Sequence, residues 1–140
     1  MTATLAKLGY GSLFQTSNND SPLTWTAMSE VRSISLPGLS RDVIDASHES
    51  APNGWREVLT GLLTAGDFSV ECNFIKTTYN TLFAELSSTT IKARRIVFPG
   101  GTFLEFNAYL ISLEGMLDSG AVVLSTAKFR PSGQPTLTVV

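Results

Sequence analysis

Residues 67–75 alternate more cleanly than any other stretch of the chain. Phe68, Val70, Cys72 and Phe74 fall on one side, and Asp67, Ser69, Glu71 and Asn73 on the other. Successive side chains of a strand point to opposite faces, so this period of two predicts a half-buried strand. The period then changes. Tyr79, Leu82, Phe83 and Leu86 sit at i, i+3, i+4 and i+7, one apolar stripe of a helix over 78–86 with Thr77 or Thr78 as its N-cap. Ser87, Ser88, Thr89 and Thr90 are poor helix formers and end it.

Alternation returns at 92–98. Pro99-Gly100-Gly101 suits a type II turn, and 102–113 is the opposing strand, so 92–113 reads as a hairpin. A second turn at 115–120 leads to a strand over 121–130. Pro131 to Pro135 break it, and 136–140 is a short extended tail. Upstream, a short apolar opening and the turn-forming loop SNNDSP occupy 1–23. Short extended pieces follow at 23–28 and 30–36. Pro37-Gly38 interrupts, because proline lacks a ladder donor and glycine tolerates positive φ. The extended reading resumes over 42–47, and 48–54 is a loop without period. In 55–66, Val58, Leu59, Leu62 and Leu63 fit helical spacing, but Gly61, Gly66 and the threonines weaken it, which favours a partly extended segment. Seven or eight strands with one helix predict a mainly β domain over 1–140: a β-sandwich or half-open barrel with one flanking α-helix.

Composition narrows what such a domain does. Of the 140 residues 43% are apolar, enough for one sizeable core. Only 16% are charged, against roughly 25% in ordinary soluble domains. A Ser/Thr-rich, weakly charged surface loses little on desolvation and suits burial against other subunits. Net charge is −2, where tight nucleic-acid binding usually needs a basic patch. The one basic cluster, Lys92, Arg94 and Arg95, reads as a solvated or interface strand. The single cysteine, Cys72, lies in the apolar alternation and reads as a small core residue. No secretory leader or membrane-length apolar run is visible.

Candidate chemistry is sparse. No nucleophile elbow or P-loop occurs, and Gly9-Tyr-Gly11 lacks the third glycine of a dinucleotide fingerprint. His48, with Asp42, Asp45 and Glu49 near it in sequence, would make an acid–base or metal site only on a helix, and no helical stripe is present there. Glu71, Glu105 and Glu114 lie on strands without pairing for glycoside hydrolysis. Trp25 and Trp55 suit stacking on sugars or bases, or anchoring at a subunit contact, and the second use is favoured. No catalytic, cofactor or metal site is expected, and the chain reads as no enzyme.

The stretches LGYGSLFQTSN, SEVRSISLPGLSRDVIDASHESAPNGWREVLTGLLTAGDFSVECNF, IVFPGGTFLEFNAYLISLEG and KFRPSGQPTL together resemble the tail tube proteins of long-tailed, lambda-like bacteriophages. The resemblance implies a tube-fold subunit that forms hexameric rings. These stack into a hollow conduit for DNA within the virion tail, built in the host bacterial cytoplasm. It implies a tape-measure protein, a tail tip and a tail terminator as partners, no membrane, and double-stranded DNA passing without specific binding. It places a ring-stacking loop at about 48–66, with His48, Glu49, Pro52, Asn53, Gly54, Trp55 and Arg56 as interface residues, and it implies no added immunoglobulin-like domain. A conduit works best if its bore does not hold DNA, which makes Glu30, Asp42, Asp45 and Glu71 candidates for the lumen. The alternatives are a head–tail completion or other tube-like phage or injection-system component, or a small-ligand-binding β-sandwich.

Overall fold

The computed structural model describes residues 9, 11–19, 23–48 and 52–140. Its strands are β1 (Leu13–Ser17), β2 (Trp25–Ala27), β3 (Val31–Ile34), β4 (Leu39–Asp45), β5 (Val58–Ala65), β6 (Phe68–Asn73), β7 (Lys92–Val97), β8 (Phe103–Met116) and β9 (Leu124–Thr138), with helix α1 (Lys76–Leu86) between β6 and β7. Seven strands form one antiparallel sheet in the order β2-β1-β7-β8-β9-β6-β3, and β4 and β5 form a separate two-stranded sheet.

The large sheet curls until its margins meet. β2 and β3 are its two outermost strands, yet only residues 28–30 join them. At that corner Met28 donates its N–H to Phe14 O at 2.8 Å, and Asn73 donates to Glu30 O at 3.1 Å. The result is the half-open barrel expected from the strand count. The corner needs a left-handed residue, and Glu30 provides it at φ 52°, an uncommon conformation for a side chain with a Cβ.

The expected face of β6 lines the core: Phe68, Val70 and Cys72 are buried. Phe14, Phe68, Phe106 and Phe129 pack there with ring centroids 5.0 to 5.9 Å apart. Aromatic rings dominate core burial and prefer such offset or edge contacts. Ala108 and Ala127, both buried, leave the room those rings need.

Several boundaries differ from the expectation. β1 forms in the stretch read as an apolar opening, and Phe14 is its core anchor. Gly115 lies inside β8, paired with Ser125. A Cβ there would stand 2.7 Å from Leu124 O, so only glycine lets the strands approach. Pro131 to Pro135 do not break the last strand. They form a bulge within β9, where β8 residues Glu105 and Asn107 face Thr136 and Ser132 and Gly133 takes φ 89°. Helix α1 starts at Lys76, so Thr77 and Thr78 lie in its first turn, and its N-cap, Ile75, makes no capping side-chain bond. Of its predicted apolar stripe only Leu82 is buried, and Phe83 is 64% exposed.

Arg94 corrects the reading of the basic cluster as solvated. Its side chain is buried on the same face of β7 as Ile96. It donates to Ala108 O at 3.3 Å, to Thr16 Oγ1 at 3.2 Å and to Glu85 Oε1 of α1. Burial holds its pKa down at about 10. The ion pair thus fastens α1 to the barrel where the helix stripe does not. Arg95 points the other way and lies 4.1 Å over both the Trp25 and Phe103 rings, with Glu105 3.5 Å away. Arg95 stacks on Trp25, so the indole face proposed as a ligand platform already carries a cation.

Candidate assembly surface

β3 to β6 make one long hairpin bent in the middle. Val31↔Cys72 and Ile34↔Val70 pair in the barrel, and Leu39↔Ala65 through Asp45↔Val58 pair beyond it. Between them, Ser35 N–H bonds Ser69 O at 2.8 Å and Gly66 N–H bonds Gly38 O at 2.7 Å. The Pro37-Gly38 interruption is therefore a joint, from which β4 and β5 leave as an arm. A Cβ on Gly66 would meet Gly38 O at 3.2 Å, so the strands cross there backbone to backbone. The anticipated loop over 48–66 is shorter than expected, because Val58–Ala65 is strand β5. Paired apolar residues, Val58-Leu59 and Leu62-Leu63, set among threonines and a glycine suit a strand whose neighbours, rather than its own sequence, decide its state.

The arm exposes what a barrel would bury. Leu39, Val43, Ile44, Trp55, Val58, Leu59, Leu62 and Leu63 are 54–79% exposed. Such patches on a folded subunit mark interaction surfaces. At the tip, Pro52–Gly54 form a short turn with Asn53 and Gly54 at positive φ, and Trp55 follows, 77% exposed. Ser47 N–H bonds Asp45 Oδ1 at 2.8 Å, and Glu57 N–H bonds Ser47 Oγ at 2.8 Å. Hydrogen bonding by Ser47, its side chain first and its backbone second, lowers the Asp45 pKa. Arg56 stands 3.9 Å from Asp45, and His48 Nε2 3.6 Å from Glu57 Oε2. Exposed pairs like these contribute little energy. Glu49 lies outside the described residues. Among those described, no three acidic, histidine or cysteine side chains gather into a metal-holding group, and no helix is long and apolar enough to cross a membrane.

The four acidic candidates divide between two places. Asp42 and Asp45 lie on the arm, Glu30 at the barrel corner and Glu71 on β6. Glu71 belongs to a cross-strand row, Ser33–Glu71–Thr126–Glu114, on the face of the sheet away from the core. Ser69, Lys128 and Ser112 form the next row. Glu114, one of the strand carboxylates without a pairing for glycoside hydrolysis, joins this row because β8 runs on to Met116, past the strand end expected at 113. At the arm's base Arg130 donates to both Asp67 oxygens, at 2.9 and 3.1 Å, and Lys128 lies 3.9 Å away. The Arg130 hydrogen bond holds the Asp67 carboxyl below its ordinary range.

Solved assemblies contain this fold. The tail of an empty gene transfer agent particle, refined with C6 symmetry, holds a chain of TM-score 0.78 and 14% identity, aligned over 96% of this chain and 100% of that one. The sheath/tube terminator of an extracellular contractile injection system reaches 0.75 at 10% identity, over 99% and 100%. The SPP1 tail tube gives 0.67 at 13%, over 93% and 77%. At such identities the likeness is one of fold. No curated protein matches the sequence. The sequence profile of the lambda phage tail tube protein, TTP, matches residues 9–138. That span takes in the barrel, the arm and the helix, and the chain belongs to the lambda phage tail tube protein family.

Proposed function

We propose that this chain is the repeating subunit of a phage tail tube. Six copies close into a ring, and rings stack into a hollow conduit through which double-stranded DNA leaves the virion. The observation that carries this reading is the arm, a two-stranded sheet presenting eight large apolar side chains that its own barrel does not cover. Each such side chain contributes about 1.5–3 kcal/mol when buried, which favours association between copies. The six-fold symmetry of the related gene transfer agent tail supports the ring number.

The arm tip, His48, Glu49, Pro52, Asn53, Gly54, Trp55 and Arg56, meets the neighbouring ring. The sheet face carrying Glu71 and Glu114 lines the bore, with Glu30 at its corner, and Asp42 and Asp45 extend the acidic surface along the arm. The basic residues of this face, Lys128 and Arg130, both stand against Asp67, and the hydroxyls and carboxylates beside them offer phosphates few attractive contacts, so DNA slides without a specific hold. The role is structural, without catalysis. Assembly in the host cytoplasm uses a tail tip, a tape-measure protein and a terminator.

A second reading is a tube-like component of an injection system or a head–tail completion protein, supported by the likeness to the contractile system's terminator. Negative-stain microscopy of concentrated protein tests the first: hollow stacked rings are expected, and a monomer at every concentration would end it. A long tape-measure gene next to this one separates a tail tube from a completion protein.

A further inference from the structure

At the arm's base the structure holds a cleft of about 640 Å³ between β5 and the second half of β9. Leu39 and Leu63 line it from the arm, and Leu104, Pro131, Pro135 and Leu137 from the barrel. β6 pairs with β9 only over 124–129, so the margin of β9 beyond Phe129 has no strand on this side among the described residues. An open margin normally invites a further strand. Here prolines at 131 and 135 lack donors and Gly133 bulges the strand, which blunts it against strand addition. What remains is an uncharged cleft whose leucines and prolines are edged by Ser40, Thr64, Ser132 and Gln134; it suits a large flat side chain with an apolar face and a polar N–H.

The chain displays such a side chain. Trp55, at the arm tip, is 77% exposed. Eight steps of chain lead from Trp55 to Leu63, where β5 reaches the cleft, roughly 25 Å at strand rise, so Trp55 does not reach its own cleft while the arm is extended. The geometry points to insertion of Trp55 of one copy into the Leu63–Leu137 cleft of a second copy. This contact presupposes the assembling subunit proposed above and specifies where its arm is received. Tip and base are different patches, so the contact is heterologous. It leaves one free tip and one free cleft at every stage and propagates along a series of copies.

Cross-linking tests it with Trp55 kept in place. In a Cys72→Ser background, Arg56→Cys and Gln134→Cys are combined and oxidised after assembly. The expected product is a ladder of dimers, trimers and longer species, while an equimolar mixture of the two single variants stops at dimers. Tubes that form without a ladder, or with only intrachain links, overturn the cleft assignment and leave the tube reading standing. Absence of rings or tubes from the unmodified chain ends both. Trp55→Ala and Leu137→Asp, each at an exposed position, should raise the critical concentration for assembly at least tenfold with unchanged circular dichroism. A wild-type critical concentration in both overturns the contact.

Discussion

Barrel and arm are two halves of one hairpin and obey opposite rules. In the barrel half, Val70 and Phe68 are buried under β9 and the aromatic cluster; in the arm half, Leu62 and Leu63 of the same chain direction are 79% and 69% exposed. The chain is no more polar in one half than in the other. What differs is the neighbour: β6 has β9 beside it, and β5 leaves β9 at Gly66-Asp67. A strand's burial is thus a property of the sheet it joins. The arm is core-like sequence without a core of its own.

That contrast can be broken at the barrel with the largest effect. Glu85→Ala leaves the buried Arg94 without its ion partner, and should cost about 3–5 kcal/mol, read as a large fall in the thermal midpoint of the monomer. A midpoint near wild type would mean that α1 is held by Leu82 alone. Next comes Gly115→Ala, where the added Cβ meets Leu124 O at 2.7 Å. Forced separation of β8 and β9 should cost on the order of 1–3 kcal/mol, measured by denaturant unfolding.

The arm should answer differently. Leu62→Ser removes an exposed side chain and should leave monomer stability within about 0.5 kcal/mol, while light scattering shows assembly shifted to higher concentration. A destabilised monomer would show that the arm packs on its own barrel.

The smallest expected effect lies at the boundary between the two regions. Asp67 has a lowered folded pKa because Arg130 binds its charged form. Its contribution is full above the ordinary carboxylate value of 3.8 and is lost as pH falls below that through the lowered folded value. Asp67→Asn should therefore lower stability slightly at neutral pH, where the contribution is full, and flatten the acid limb of the stability profile below about pH 4.

The same contrast explains what the sequence revealed. β6, the β7–β8 hairpin and the end of α1 were legible because alternation, Pro-Gly-Gly and a run of serine and threonine are local signals. β5 was ambiguous because Val58, Leu59, Leu62 and Leu63 satisfy no single buried face in the monomer. The bulge in β9 was taken for a break, since proline's missing donor matters only if that margin has a strand beside it, and pairing is not local. The burial of Arg94 is not visible in a basic run that suits a solvated or interface strand, because its partner, Glu85, sits on another element. Trp55 stands out in the sequence as a lone tryptophan after a loop, but the cleft proposed to receive it is assembled from residues 39 to 137 and leaves no trace in spacing.

The joint at Gly38 and Gly66 has a mechanical meaning. Backbone crosses backbone there with no side chain wedged between, and only main-chain hydrogen bonds at Gly38–Gly66 and Ser35–Ser69 span the joint, so its angle is set by few contacts. In a filament whose subunits touch through such limbs, curvature accumulates from many minor adjustments rather than from rupture at one place. Under the proposed contact, such a filament would bend without opening its wall.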